Sequence, residues 1–110
     1  PDLPKKFNRY PSYDVGLLYA QAVEAVHESG RMVEVNTSGA SYACEEMYPS
    51  KAFLTALARA KVPCPIGTDA HHPDNVNRGL AQGYRLMYES GYREVTVPTI
   101  DGDRRAVAIN

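Results

Sequence analysis

The 110-residue sequence has no tryptophan, only two cysteines, and no surplus of charge of either sign. Each shortage excludes something. Twelve Lys and Arg stand against thirteen Asp and Glu, giving a net charge of −1 and a pI of about 6.3. The chain therefore lacks the basic excess with which a nucleic-acid binder neutralises phosphates. No apolar run approaches the ~18 residues that span a bilayer, and none has the build of a signal peptide, so no membrane partner is expected. Cys44 and Cys64 are too few for a disulfide framework and form no CxxC pair. Free thiols in a reducing compartment, the cytoplasm, are the expectation. Internal repeats, low-complexity stretches and linker-like composition shifts are missing too. The chain opens on Pro1 rather than Met, a first hint of a processed product or a fragment.

What is present is regular. Hydrophobic residues make up 44% and charged residues 23%, an ordinary balance for one small domain with a thin core. A loop over residues 1–11 leads to Ser12 as an N-cap and a helix to about Ser29. Leu18, Ala22 and Val26 recur on one face of that helix, and Gly30 is its stop. Residues 31–36 alternate Val33 and Val35 with Glu34 and Asn36, a strand pattern. Ser50 caps a second helix over 51–60, with Phe53, Leu54, Leu57 and Ala58 as the buried stripe. Residues 61–67 read as a second strand. Asp74 or Asn75 caps a third helix with Leu80, Tyr84, Met87 and Tyr88 on its core side and Gly91 as its stop. Two final strands, 93–98 and 104–109, flank the turn signal Asp101-Gly102. This order predicts an α/β chain of parallel strands with outer helices plus a terminal β-hairpin. A full (β/α)8 barrel needs ~250 residues, so these elements cannot close one alone. An open sheet edge and an uncovered helix face would then invite self-association.

The segment richest in chemistry is Ile66-Gly67-Thr68-Asp69-Ala70-His71-His72. In extended backbone Asp69 and His71 project to the same side, at the strand end where α/β enzymes place their sites. A carboxylate oxygen with an imidazole nitrogen suits Mn, Fe or Zn. By spacing alone, a capping Asp beside surface histidines explains the same residues. His72 points the opposite way and is read as a non-ligand. His27, near the end of the first helix, complements the helix dipole.

The string GTDAHHPDNV (67–76) resembles the last metal-binding motif of the PHP superfamily, usually written SDAH, with Thr68 in place of Ser. PDLPKKF (1–7) resembles the segment that follows a metal-ligand histidine in the family's histidinol phosphatases. EVNTSG (34–39) and YPS (48–50) resemble the next strand and the start of the next helix. Taken together, the resemblance covers nearly the whole chain as the C-terminal portion of a single PHP domain, residues 1–110, within a distorted (β/α)7 barrel. It implies a phosphomonoesterase with two or three divalent metals and a small phosphorylated substrate, in the first place L-histidinol phosphate of histidine biosynthesis. Asp69 and His71 would be metal ligands there and part of the catalytic centre. The family's other ligands do not occur in this sequence, so the chain alone is expected to be inactive. Glu34, Asn36 and Ser38, with Thr37 between them, are candidates to meet the substrate. Family members often carry a phosphate-binding arginine beyond this point, where this chain has Ser41 and Tyr42. Lys6 and Arg78 are the candidates for that duty. A relative acting on a nucleotide or another small phosphoester, and a non-catalytic PHP-like module, are the competing readings.

Overall fold

The computed structural model describes residues 3–110; Pro1 and Asp2, the first two residues of the PDLPKKF string, lie outside the described residues. Three helices, α1 (Gly16–Glu28), α2 (Lys51–Arg59) and α3 (Leu80–Ser90), pack around two short parallel strands, β1 (Val35–Asn36) and β2 (Ile66–Gly67). β3 (Glu94–Pro98) and β4 (Arg104–Ala108) form an antiparallel hairpin in the register Glu94↔Ala108 to Pro98↔Arg104. Asp101 and Gly102 lie in its turn, where Gly102 takes φ +83. The chain is thus mixed α/β, with a small parallel sheet and a hairpin, compatible with part of an α/β domain.

Prolines explain why the parallel strands are shorter than the valine pattern of 31–36 predicts. Val33 and Val35 donate to the carbonyls of Pro63 and Pro65, at 3.2 and 2.9 Å. Neither proline can return an N–H, so the two-way ladder begins only at Ile66. Both edges of this sheet are partly occupied. Asn36 and Tyr48 exchange backbone hydrogen bonds on one side, and Thr96 N–H donates to the Cys64 carbonyl on the other. The open sheet edge expected from the sequence is therefore largely covered.

Helix ends follow local chemistry with two corrections. Ser50 caps α2 as expected, its hydroxyl accepting from Phe53 N–H. Ser12 does not cap α1. That helix starts four residues later, where the Asp14 carboxylate accepts from Gly16 N–H at 2.8 Å. Asp74 and Asn75 do not open α3 either. They form a 3-10 turn, Pro73–Asn75, and α3 starts after Gly79. Gly79 has φ +72, and a Cβ there would come within 3.0 Å of Thr37. A left-handed, crowded position of this kind interrupts the helix and requires glycine.

The core comprises Val23, Val35, Phe53, Leu54, Leu57, Val62, Cys64, Met87, Tyr92 and Val95. The α2 stripe is as read from the sequence, with Leu54 and Leu57 fully buried. On α1 the inward side is Tyr19, Ala22, Val23 and Val26, leaving Leu18 outside. Tyr84 and Tyr88, expected in the core, face outward, and Arg93 stacks on the Tyr88 ring at 4.1 Å. Gly83 and Met87 take the inner positions, because a Cβ at residue 83 would collide with Ile66 at 2.5 Å. α3 thus sits too close to β2 for a ring on that face.

Burial also sets an alkaline limit on stability. Cys64 is pushed up from 9.0 to about 12, first by burial. Tyr92, whose hydroxyl donates to the Val62 carbonyl at 2.9 Å, is raised in the same direction, again first by burial. A raised pKa on an acid means that the unfolded chain ionises first. The stabilisation is intact below pH 9 and is lost as pH rises from 9 toward 12. The Cys64 gap corresponds to ~4 kcal/mol at its far end. Denaturant midpoints should fall steeply above pH 9 in the native sequence and less steeply in Cys64→Val. Parallel alkaline slopes for the two proteins would remove Cys64 as the cause.

Candidate functional site

The C-terminal ends of β1 and β2 lie side by side, with Asn36 paired to Gly67. From there the chain departs from the extended geometry expected for residues 69–71. Asp69 takes φ +52, in the left-handed region, so the strand has ended before it. Asp69 and His71 meet instead through a turn. The His71 ring nitrogen Nδ1 lies 2.8 Å from the Asp69 backbone carbonyl oxygen. A carbonyl can only accept, so Nδ1 carries the proton and donates. The lone pair is then on Nε2, which makes no hydrogen bond among the described residues. Both side chains are exposed, and the Asp69 carboxylate likewise has no partner among the described residues. A second interaction that fixes the tautomer while leaving Nε2 available is the arrangement metal-binding histidines use.

Glu34 and Asn36 share one face, as the alternation predicts, but that face is open rather than buried around Glu34. Asn36 is locked on both sides. Its Nδ2 donates to Glu34 Oε1 at 3.2 Å, and its Oδ1 accepts from the backbone and hydroxyl of Ser38, at 2.9 and 2.6 Å. Glu34 reaches across to β2. A Cβ at residue 67 would lie 2.7 Å from Glu34 Oε2, so the carboxylate occupies space that only glycine leaves free. The Gly67 cradle was not picked out from the sequence, although the glycine directly preceding Thr68-Asp69 was its available signal.

Thr37 and Ser38, expected to face a substrate, turn inward and are buried. The Thr37 hydroxyl donates to the Arg78 carbonyl at 2.6 Å and ties the end of β1 to the approach to α3. Ser38 braces Asn36. These small hydroxyl residues position the site instead of lining it, because the 3-10 turn Thr37–Ser41 begins directly after β1 and folds them under.

The two cationic candidates separate. Arg78 donates through one terminal nitrogen to the Thr68 carbonyl at 3.5 Å, beside Asp69. Its Nε is buried and has no hydrogen-bond partner among the described residues. Lys6 holds its amine 4.0 Å from the Tyr42 ring centroid, so a cation stands over the Ser41–Tyr42 segment. No hydrogen bond or ion pair joins Lys6 to Asp69 or His71 among the described residues. Its neighbour Lys5 pairs with Glu46. His72 accepts from Asp74 N–H at 3.4 Å and lies 3.3 Å from the Asp74 carboxylate, so it closes the 3-10 turn. His27 lies in the last turn of α1.

Glu34, Asn36, Asp69, His71 and Arg78 thus gather around the ends of two parallel strands. Asp69 carries an oxygen donor and His71 a nitrogen donor, the types that divalent Mn, Fe or Zn take. Among the described residues, no group of three or more His, Cys, Asp or Glu side chains is placed to hold one. No described helix is long and apolar enough to cross a membrane.

No family model matches the chain. Over 95 residues, 86% of its length, the chain is 33% identical to a Deinococcus radiodurans protein named probable histidinol-phosphatase. The match spans 36% of that protein, so the chain corresponds to about a third of its relative's length.

Proposed function

We propose that this chain is the C-terminal portion of a metal-dependent phosphomonoesterase of the PHP type, with a distorted (β/α)7 barrel in the whole protein. The observation that carries the reading is the exposed Asp69–His71 pair, in which Nδ1 of His71 contacts the Asp69 carbonyl and Nε2 has no partner among the described residues. Its location within the region similar to a protein named probable histidinol-phosphatase supports a phosphatase reaction. The substrate is a small phosphate monoester, in the first place L-histidinol phosphate, and the protein works in the cytoplasm.

Asp69 and His71 would hold a divalent metal, Mn, Fe or Zn, with the ligands that complete a set of two or three ions supplied from outside these 110 residues. A divalent ion held by them would supply Lewis-acid chemistry toward a phosphate oxygen. The chain's own residues do the rest. Arg78 sets a fixed positive charge beside the motif for the phosphate oxygens, using the fork of guanidinium N–H groups that suits them. Lys6 over Tyr42 is a second cation for the same purpose. Asn36, held rigid by Ser38, keeps Glu34 over Gly67, where the carboxylate can receive a substrate amine or hydroxyl.

Release of inorganic phosphate from L-histidinol phosphate with Mn²⁺ tests this. The 110-residue chain alone should give no turnover, because two ligands do not hold a multinuclear site. A longer polypeptide containing it should turn over and lose activity on chelation. Bound metal without turnover would move the substrate to a nucleotide or another small phosphoester. Neither metal nor turnover in the longer protein would leave a non-catalytic module.

A further inference from the structure

Thr37 directly follows β1 and is fully buried, and both arms of its side chain are engaged at the approach to α3. Its hydroxyl donates to the Arg78 carbonyl at 2.6 Å. Its methyl lies against Gly83, where a Cβ would come within 3.0 Å of it. Gly79, beside Arg78, takes φ +72, and a Cβ there would also crowd Thr37 at 3.0 Å. One β-branched side chain, stiff about its first torsion, therefore meets residues 78, 79 and 83 together. The peptide joining Arg78 to Gly79 is held from two sides. A hydroxyl holds its oxygen, and the backbone after it is left-handed, which glycine alone adopts at little cost.

We propose that Thr37 is the positioning residue for Arg78. The hydroxyl bond from the end of β1 fixes the backbone from which the arginine reaches the phosphate, an inference that rests on the phosphate role proposed above for Arg78. The guanidinium contributes little to its own placement. Among the described residues its terminal nitrogens reach just the Thr68 carbonyl, at a long 3.5 Å, and its Nε has no partner. The aim of the side chain is therefore set from the main chain, and the fork of N–H groups stays available for phosphate oxygens. Packing alone does not account for a threonine here. Valine has the same shape and would fill the space against Gly79 and Gly83, so the hydroxyl is there for the Arg78 carbonyl. Thr37 is closed off from solvent and meets no substrate itself. It acts through the arginine.

Thr37→Val, which keeps the shape and removes the hydroxyl, tests this beside Thr37→Ser, which keeps the hydroxyl. In a longer polypeptide that releases phosphate, Thr37→Val should lower kcat/KM by ~10-fold or more, the cost of losing a supporting contact. Mn²⁺ affinity should be unchanged, and Thr37→Ser should retain most of the native rate. Combined with Arg78→Met, Thr37→Val should cost almost nothing further, because the group it positions is gone. A threonine that merely stabilises the fold would give the same loss in both backgrounds, and that result overturns the proposal. So does a Thr37→Ser variant as impaired as Thr37→Val. Full kcat/KM in Arg78→Met removes the phosphate duty and overturns the proposal with it. Exchange of the Arg78 Nε–H proton with solvent, followed by NMR in the 110-residue chain, gives a readout without turnover. It should quicken in Thr37→Val and stay slow in Thr37→Ser, and equal rates in both variants and the native chain overturn the tie. Absence of turnover in the native longer protein is a failure of the phosphatase reading instead, and the exchange rates still decide whether Thr37 holds Arg78.

Discussion

Asp69→Asn, placed in a polypeptide that shows metal-dependent phosphate release, is expected to lower that release by ~100-fold or more, since even residues that merely support a metal ligand cost 10–100-fold. The substitution keeps the shape of the side chain and removes its charge. It also leaves the Asp69 backbone carbonyl in place, so the 2.8 Å contact that orients His71 persists. The variant therefore separates loss of a ligand from loss of geometry. The backbone at 69 is left-handed, which asparagine tolerates as well as aspartate, so folding should be unaffected. Mn²⁺ affinity by calorimetry should fall together with turnover. If metal affinity and activity both survive, Asp69 is a loop carboxylate and the metal assignment fails.

Arg78→Met should cost a comparable amount by a different route. Removing a fixed positive charge from a developing phosphate transition state typically costs 10²–10³-fold, and the loss should appear in kcat/KM without a change in metal affinity. Stability should hardly move. The Thr37 hydroxyl bonds the Arg78 backbone carbonyl, which the substitution leaves untouched, and the guanidinium loses only its long 3.5 Å bond to the Thr68 carbonyl, its buried Nε having no partner among the described residues. Arg78→Lys should recover little, because a single ammonium does not reproduce the guanidinium fork. A lowered melting temperature with unchanged kcat/KM would make Arg78 a structural residue and shift the phosphate role to Lys6.

Much of the architecture was legible in local chemistry. Ser50 capping α2, the Leu54 and Leu57 stripe, Gly30 and Gly91 as helix stops, and the Asp101-Gly102 turn all follow from spacing and backbone preference. Such features depend on residues within one or two turns of each other, which sequence displays directly. The shortened parallel strands could also have been inferred, since Pro63 and Pro65 cannot donate to a neighbouring chain.

Contacts between distant segments were not legible. Nothing near Tyr84 or Tyr88 announces that α3 presses its Gly83 face onto Ile66 and rotates both rings outward. The spacing of Asp69 and His71 marked the pair as chemical, but the left-handed turn that joins them replaced the expected strand geometry. Glu34 was legible as a polar residue on an alternating strand, while its place over Gly67 depends on the β1–β2 register. Arg78 and Lys6 were equal candidates by residue type. Sequence alone determined which donors and cations this chain possesses, where its helices stop and where α2 starts. The tertiary structure alone decided that Arg78 stands beside Thr68 and Lys6 over Tyr42, because that choice depends on packing between residues ten and thirty-six positions apart.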